Sequence, residues 1–150
     1  MKSLSTIVSL VQVLAVIFLP CSLLSAELHI TEFMADNKES VEDADGDASD
    51  WIEIFNSGSE PVSLDGYFLT DDSGALTKWK FPSIEISNSG FLLIFASEKD
   101  RRDPRTELHT NFKLSGKGEY LALVESDGNT IVAEFGSGDA PLPVQYEDIS

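Results

Sequence analysis

Residues 36–50 form an acidic segment with seven carboxylates and one lysine, a local charge of −6. Three of its aspartates alternate with other residues, and calcium-binding loops present their oxygen ligands at such alternate positions. An EF-hand is excluded, because the segment lacks the glycine and glutamate required at the sixth and twelfth loop positions. We therefore expect either a solvated acidic loop or a calcium site. The candidate ligands are Asp43, Asp45, Asp47 and Asp50.

Two further groups of charged residues each allow a functional and a structural interpretation. Asp71-Asp72 precedes Ser73-Gly74, so these carboxylates are either additional cation ligands or turn residues that accept backbone N–H bonds. The segment 99–105 holds four basic residues and two acids. Its basic side chains could bind a phosphate or carboxylate group of a partner. Alternatively they form surface ion pairs of about 1 kcal/mol or less each, or they pair with the acidic segment. We favour the structural interpretation of both groups.

The sequence offers few residues for catalysis. Its two histidines, His29 and His109, lie in predicted strands, where packing or surface roles are commoner than catalysis. They would act as metal ligands or as a base only if the fold brings them together. Ser115-Gly116-Lys117-Gly118 lacks the Gly-Lys-Ser/Thr ending of a phosphate loop. We therefore predict no catalytic and no cofactor-binding residue in this chain.

Composition limits the class of protein. The 150 residues carry 26 acids against 10 Lys and Arg, a net charge of −16, with 42% hydrophobic residues. This hydrophobic content excludes a disordered acidic chain, and the length suits one ordinary domain. The negative charge argues against binding to nucleic acid, which requires Lys and Arg to displace counterions. It also argues against docking on anionic lipid.

Residues 1–26 have the pattern of a secretory signal peptide. Lys2 precedes an apolar run over residues 8–19, and the segment closes at Leu24-Ser25-Ala26. The run is shorter than the roughly 20 residues of a membrane span, so an uncleaved anchor is the less favoured alternative, as is a lipid anchor at Cys21. Cleavage after Ala26 would remove this only cysteine and leave no disulfide. We expect a secreted, extracellular protein with no stable membrane insertion after cleavage.

The remainder predicts an all-β domain over residues 27–136, followed by a linker or the start of a further segment over residues 137–150. Short runs with alternating or continuous apolar residues are separated by turn residues, and no long window has a helical period. Ser126-Asp127-Gly128-Asn129 is a strong hairpin signal. So many strands require two packed sheets or a barrel, and an immunoglobulin-like β-sandwich fits best. The predicted strands are Leu28–Phe33, Trp51–Phe55, Val62–Leu64, Tyr67–Thr70, Lys78–Phe81, Ile84–Ile86, Phe91–Ala96, Leu108–Leu114, Glu119–Glu125 and Thr130–Phe135.

The order of several motifs resembles the lamin tail domain family, an immunoglobulin-like module. The central run Ser49-Asp50-Trp51-Ile52-Glu53-Ile54-Phe55-Asn56 is followed by three others at residues 64–72, 78–82 and 90–95. The opening residues 30–33 and the later run 108–115 are similar to the bacterial secreted branch of this family. The resemblance covers roughly residues 28–135, nearly all of the predicted mature chain.

The resemblance implies a non-catalytic interaction or targeting module within a larger exported protein, with a protein or a cell surface as its partner. One alternative is a calcium-stabilised cell-surface adhesion module. Another is an accessory domain of an exported enzyme, such as a nuclease, a phosphatase or a spore-coat-kinase-like protein, whose catalytic part lies beyond residue 150. A filament or chromatin role is not implied, because the chain has no heptad segment or nuclear signal.

Overall fold

The computed structural model describes residues 28–118 and 120–136, and within these ranges the chain forms ten strands and no helix. The predicted signal peptide, residues 1–26, and the predicted linker, residues 137–150, lie outside the described residues. Within the described ranges there is no helix of the length and apolarity that a membrane span requires. The strands are β1 (Leu28–Met34), β2 (Asp50–Asn56), β3 (Val62–Ser63), β4 (Phe68–Thr70), β5 (Trp79–Lys80), β6 (Glu85–Ile86), β7 (Phe91–Ala96), β8 (Leu108–His109), β9 (Leu121–Val124) and β10 (Ile131–Phe135).

The strands form two four-stranded sheets and one two-stranded ribbon. The first sheet has the order β1-β2-β7-β8, the second has the order β10-β9-β4-β5, and β3 pairs with β6. All pairings are antiparallel except that of β7 with β8. The sheets are open, so the prediction of a sandwich is confirmed over that of a barrel. At one margin β1 and β10 approach each other, where the rings of Phe33 and Phe135 lie 5.4 Å apart.

The main core lies where apolar side chains from both sheets meet. Alternation along β2 directs Ile52 and Ile54 into this core, because successive residues of a strand point to opposite faces. Leu69 of β4 and Leu123 of β9 belong to the same core, and all four are 0% exposed. Burying each such side chain contributes about 1.5–3 kcal/mol. The domain is thus stabilised by apolar packing between its sheets.

A second, smaller cluster covers one end of the outer face of the first sheet. Met34, Trp51 and Phe95 are neighbours in the strand register and are all buried. Val41, from the connection between β1 and β2, packs against them. The acidic connection therefore folds over the outer face of the sheet at this end.

All ten predicted strands correspond to observed strands, but several were predicted too long. The largest correction is at Leu108–Leu114, where only Leu108–His109 is a strand. Beyond His109 the chain pairs instead with the connection after β7, where the carbonyls of Thr110 and Phe112 accept the amides of Asp100 and Glu98. The next segment keeps one isolated bridge, between Lys113 and Ser97.

The predicted hairpin between β9 and β10 is confirmed. Gly128 has φ +73°, a conformation that glycine adopts without steric cost. The Asp127 side chain accepts hydrogen bonds from the amides of Asn129 and Thr130, at 2.9 and 2.8 Å. The turn signal in the sequence thus correctly located the reversal of the chain.

Candidate functional site

The carboxylate of Asp43 is the centre around which the acidic loop folds. One of its oxygens accepts hydrogen bonds from the amides of Asp45 and Asp47, at 3.0 and 3.2 Å. The other oxygen accepts the hydroxyl of Ser49, at 3.0 Å. Gly46, with φ +81°, closes the tight turn by donating its amide to the Asp43 carbonyl. The local sequence therefore folds into a loop whose donors surround one buried acid.

The ammonium group of Lys99 lies among the three alternating aspartates. Its Nζ atom is 2.6 Å from Asp43, 2.7 Å from Asp45 and 2.8 Å from Asp47. The three carboxylates lie within 4.8 Å of one another. The cation at their centre is a side chain from the connection after β7. The sequence indicates the carboxylates by their spacing, and it indicates Lys99, 52 residues beyond Asp47, only as one member of the basic segment 99–105.

The surroundings of Asp43 favour its ionised form. Burial alone would raise its pKa, but hydrogen bonds from Lys99, the amides of Asp47 and Asp45 and the hydroxyl of Ser49 lower its pKa to about 2. Burial likewise opposes the charge of Lys99, and the three carboxylates outweigh it and raise the pKa of Lys99. Both partners therefore stay charged at neutral pH.

Further contacts join the acidic loop to the basic segment 99–105 and to Glu107. Arg101 donates to the Asp45 carboxylate at 2.7 Å, and this bond with that from Lys99 lowers the pKa of Asp45. Glu107 accepts the amide of Ala44 at 2.7 Å. The interpretation in which the basic segment pairs with the acidic loop of the same chain is thus confirmed for Lys99 and Arg101.

Asp50 lies apart from the three converging aspartates. Its Oδ1 atom accepts the amides of Asp36 and Asn37, at 2.8 and 3.2 Å. Burial raises the pKa of Asp50 against the opposing effect of these amides. Asn37, itself buried, donates to the carbonyls of Val41 and Ser49. Asp50 therefore fixes the start of the loop on the sheet, and the structure does not bring it into the carboxylate cluster.

A calcium ion and Lys99 would compete for the same position. Calcium binds oxygen ligands at 2.3–2.6 Å, and the ammonium already lies 2.6–2.8 Å from each of the three carboxylates. An ion coordinated by all three aspartates would therefore have to displace Lys99. Calcium binding at Asp43, Asp45 and Asp47 stays a prediction, and the structure identifies its competitor.

The two histidines lie on opposite edges of the first sheet, in β1 and β8, and do not act together. His29 is exposed, with Nε2 3.0 Å from the Ser57 hydroxyl. His109 is 0% exposed, with Nδ1 2.8 Å from the Ser97 hydroxyl. Its Nε2 atom has no hydrogen-bond partner within the described ranges, the nearest acid being Glu107 at 3.9 Å.

The environment of His109 favours the neutral imidazole. Burial lowers its pKa, as do the nearby cations Arg101 and Lys99. The sequence did not predict the pair of Ser97 with His109, because Ser97 follows the end of β7 and His109 belongs to β8, twelve residues further along the chain.

Asp71 and Asp72 have structural partners. Asp71 pairs with Lys78. Asp72 accepts the amide of Gly74 at 2.8 Å, and its carbonyl accepts the Thr70 hydroxyl at 3.0 Å. The turn interpretation is confirmed for Asp72.

The other end of the outer face of the first sheet carries an aromatic pair, of which Phe91 is exposed and Phe55 is half-buried. Phe55 of β2 and Phe91 of β7 are register partners whose rings stack with centroids 4.5 Å apart. Phe91 is 61% exposed, and Leu93, two residues along the same strand, is 36% exposed. We call Phe55, Phe91 and Leu93 the apolar face. An exposed group of large apolar side chains is typical of an interaction surface.

Two open sheets packed over one apolar core define an immunoglobulin-like β-sandwich, a class of interaction module. The family model described as Lamin Tail Domain matches residues 24–139, and the chain belongs to this family. The resemblance found in the sequence is thereby confirmed, whereas membership of a bacterial secreted branch stays a prediction. No curated protein matches the chain.

Proposed function

We propose that the chain is a secreted, non-catalytic interaction module that binds a protein partner through the apolar face. The observation that supports this proposal is the exposure of Phe91, at 61%, on top of the stacked ring of Phe55. A partner that covered both rings and Leu93 would remove their remaining apolar surface from water, which favours binding. Aromatic side chains commonly carry much of the energy of such interfaces.

Charge around the apolar face selects the partner. Glu32 and Glu53 are register partners in the next row of the same outer face, and Leu93 pairs with Glu53. A partner with Lys or Arg beside an apolar residue would complement both features. A second copy of this chain is disfavoured, because each copy carries a net charge of −16. The proposed partner is therefore a basic, partly apolar protein segment.

Binding can be tested with a synthetic peptide of alternating lysine and leucine, compared with one of alternating glutamate and leucine. We expect the lysine peptide alone to shift the NMR resonances of Phe55, Phe91 and Leu93. Phe91→Ser should weaken this binding about tenfold, the effect of losing about 1.4 kcal/mol. Ile131→Ser is the matched control, because Ile131 is 40% exposed on the second sheet.

Two results would refute this binding mode. One is a set of resonance shifts spread over the acidic loops with no shift at the apolar face. The other is equal weakening of binding by Phe91→Ser and Ile131→Ser.

Secretion is tested separately, by expression of the full chain with its native N-terminus. We expect a secreted product that begins at Glu27, identified by intact mass, because residues 1–26 have the signal-peptide pattern. Retention of an unprocessed chain would contradict secretion.

A further inference from the structure

We propose that a cavity at the opposite end of the first sheet binds an anionic sugar. The cavity has a volume of about 700 Å³ and lies where β2 begins and β7 ends. Asp50 and Ala96 line it at that end, whereas Phe55 and Phe91 pair at the other end of the same two strands. This site is therefore separate from the apolar face and does not depend on the proposed function. Its size lies within the usual range for small-molecule sites, about 300–1,000 Å³.

Basic side chains are concentrated at this cavity. The chain has 10 Lys and Arg residues in total, and four lysines line the cavity: Lys38, Lys99, Lys113 and Lys117. In a protein of net charge −16, such a local concentration provides a rare attractive position for an anion.

Two of these lysines are available to a ligand. Lys99 is neutralised by its three aspartates, and Lys38 pairs with Asp36. Lys113 has only a loose contact with Glu98, at 3.6 Å, and both side chains are about 60% exposed. Within residues 28–118 and 120–136, the ammonium of Lys117 has no carboxylate within 4.0 Å. Lys113 and Lys117 can therefore both contact an anionic group.

The acidic lining of the same cavity excludes a simple anion as the preferred ligand. Asp36, Asp47 and Asp50 also line it. Asp36 and Asp47 are paired with Lys38 and Lys99, but Asp50 has no lysine or arginine within 4.0 Å among the described residues and would repel a phosphate or sulfate ion. Carboxylates are strong acceptors for ligand hydroxyl groups. A ligand with one anionic group and several hydroxyls can contact the lysines through its charge and the aspartates through its hydroxyl groups.

The volume of the cavity, about 700 Å³, also suits a pyranose ring with its hydroxyl groups. An acidic monosaccharide, such as a uronic acid unit of a polysaccharide, therefore fits the charge, the hydrogen-bonding groups and the size of the cavity.

The test is an NMR titration of the protein with glucuronic acid, glucose and inorganic phosphate in parallel. We expect glucuronic acid to shift the amide resonances of Gly116 and Lys117 and to bind at least about tenfold more tightly than glucose or phosphate. Lys117→Met should weaken the binding about tenfold, as expected for one lost charge-assisted contact. Lys80→Met is the matched control, because Lys80 is an exposed lysine of β5 outside the cavity lining.

The spectrum of each variant shows directly whether it is folded. If Lys117→Met does not fold, Lys113→Met provides the second test of the same cavity. The proposal is overturned if glucuronic acid shifts no cavity resonance or if phosphate binds as tightly as glucuronic acid. It is also overturned if the cavity variant and Lys80→Met weaken binding equally.

Discussion

The Nζ atom of Lys99 lies 2.6 Å from the carboxylate of Asp43, although 56 residues separate the two along the chain. The Asp43 side chain is completely buried, and that of Lys99 is 20% exposed. Asp43 belongs to the connection between β1 and β2, and Lys99 to the connection between β7 and β8. This ion pair therefore joins two long connections at the same end of the first sheet.

Replacing Lys99 by methionine should lower the free energy of unfolding by about 2 kcal/mol, between the effects of exposed and buried ion pairs. The variant would leave the buried carboxylate of Asp43 without its cation. Lys113→Met is the matched control, with an expected loss below about 0.5 kcal/mol, because its contact with Glu98 is exposed. Urea unfolding measures both values. Equal effects of the two substitutions would show that Lys99 contributes no more than a surface lysine.

Calcium should raise the thermal midpoint of the Lys99→Met variant and leave that of the wild-type protein unchanged. In the wild-type protein the ammonium occupies the position between Asp43, Asp45 and Asp47. In the variant the three carboxylates retain their convergence and lose their cation, so a ligand that binds only the folded state stabilises it. Thermal melts at millimolar calcium, with magnesium as the control ion, measure the effect. A clear stabilisation of the wild-type protein would instead support the calcium-stabilised module considered from the sequence.

The fold could be predicted because period-two patterning and turn residues are local signals. Runs such as Trp51–Phe55 and Phe91–Ala96 correspond closely to β2 and β7, and Gly128 marked the last hairpin. The predicted end of β8 was wrong because the carbonyls of Thr110 and Phe112 pair with the irregular connection after β7, which hydrophobic patterning does not reveal.

The candidate site could be predicted only in part. The alternation of Asp43, Asp45 and Asp47 correctly indicated that their carboxylates converge. The position of Lys99 depends on how two distant connections pack, which one segment of sequence does not encode. The sequence groups Asp50 with the other aspartates because it lies close to them along the chain. In the structure Asp50 is the first residue of β2, and its carboxylate accepts the amides of Asp36 and Asn37.

The wild-type protein should lose about 2 kcal/mol of stability from Asp43 as the pH falls from about 5 to about 2. The pKa of Asp43 is about 2 in the folded state, against 3.8 as its ordinary value. Because the pKa of Asp43 is lower in the folded state than in the unfolded state, its ionised carboxylate stabilises the fold above the pKa of the unfolded state. This stabilisation is lost as the pH falls through the pKa of the folded state. Urea unfolding of the wild-type protein and Asp43→Asn across this range measures the contribution. Their difference should shrink towards pH 2, and a constant difference would contradict the assignment.

Leu69→Ala should destabilise the protein by about 2–5 kcal/mol, because it leaves a cavity between the two sheets. Leu69 is 0% exposed in β4 and belongs to the main core. Ile131→Ala removes a side chain that is 40% exposed in β10, so a much smaller loss is expected. Urea unfolding compares the two variants. Similar losses would show that the core of the sandwich does not lie between the sheets as described.

Acidification below pH 6.5 should destabilise the protein through His109, at a higher pH than the loss that involves Asp43. Burial and the nearby cations hold the folded-state pKa of His109 below its ordinary value of 6.5. Between these two pKa values the unfolded state binds more protons, so stability falls as the pH falls. The stability advantage of the wild-type protein over His109→Gln should therefore be larger at about pH 7.5 than at about pH 5. His29→Gln, which alters an exposed side chain of β1, is the matched control with a small effect at both values. An advantage over His109→Gln that grows on acidification would mean that the buried imidazole is charged in the folded protein.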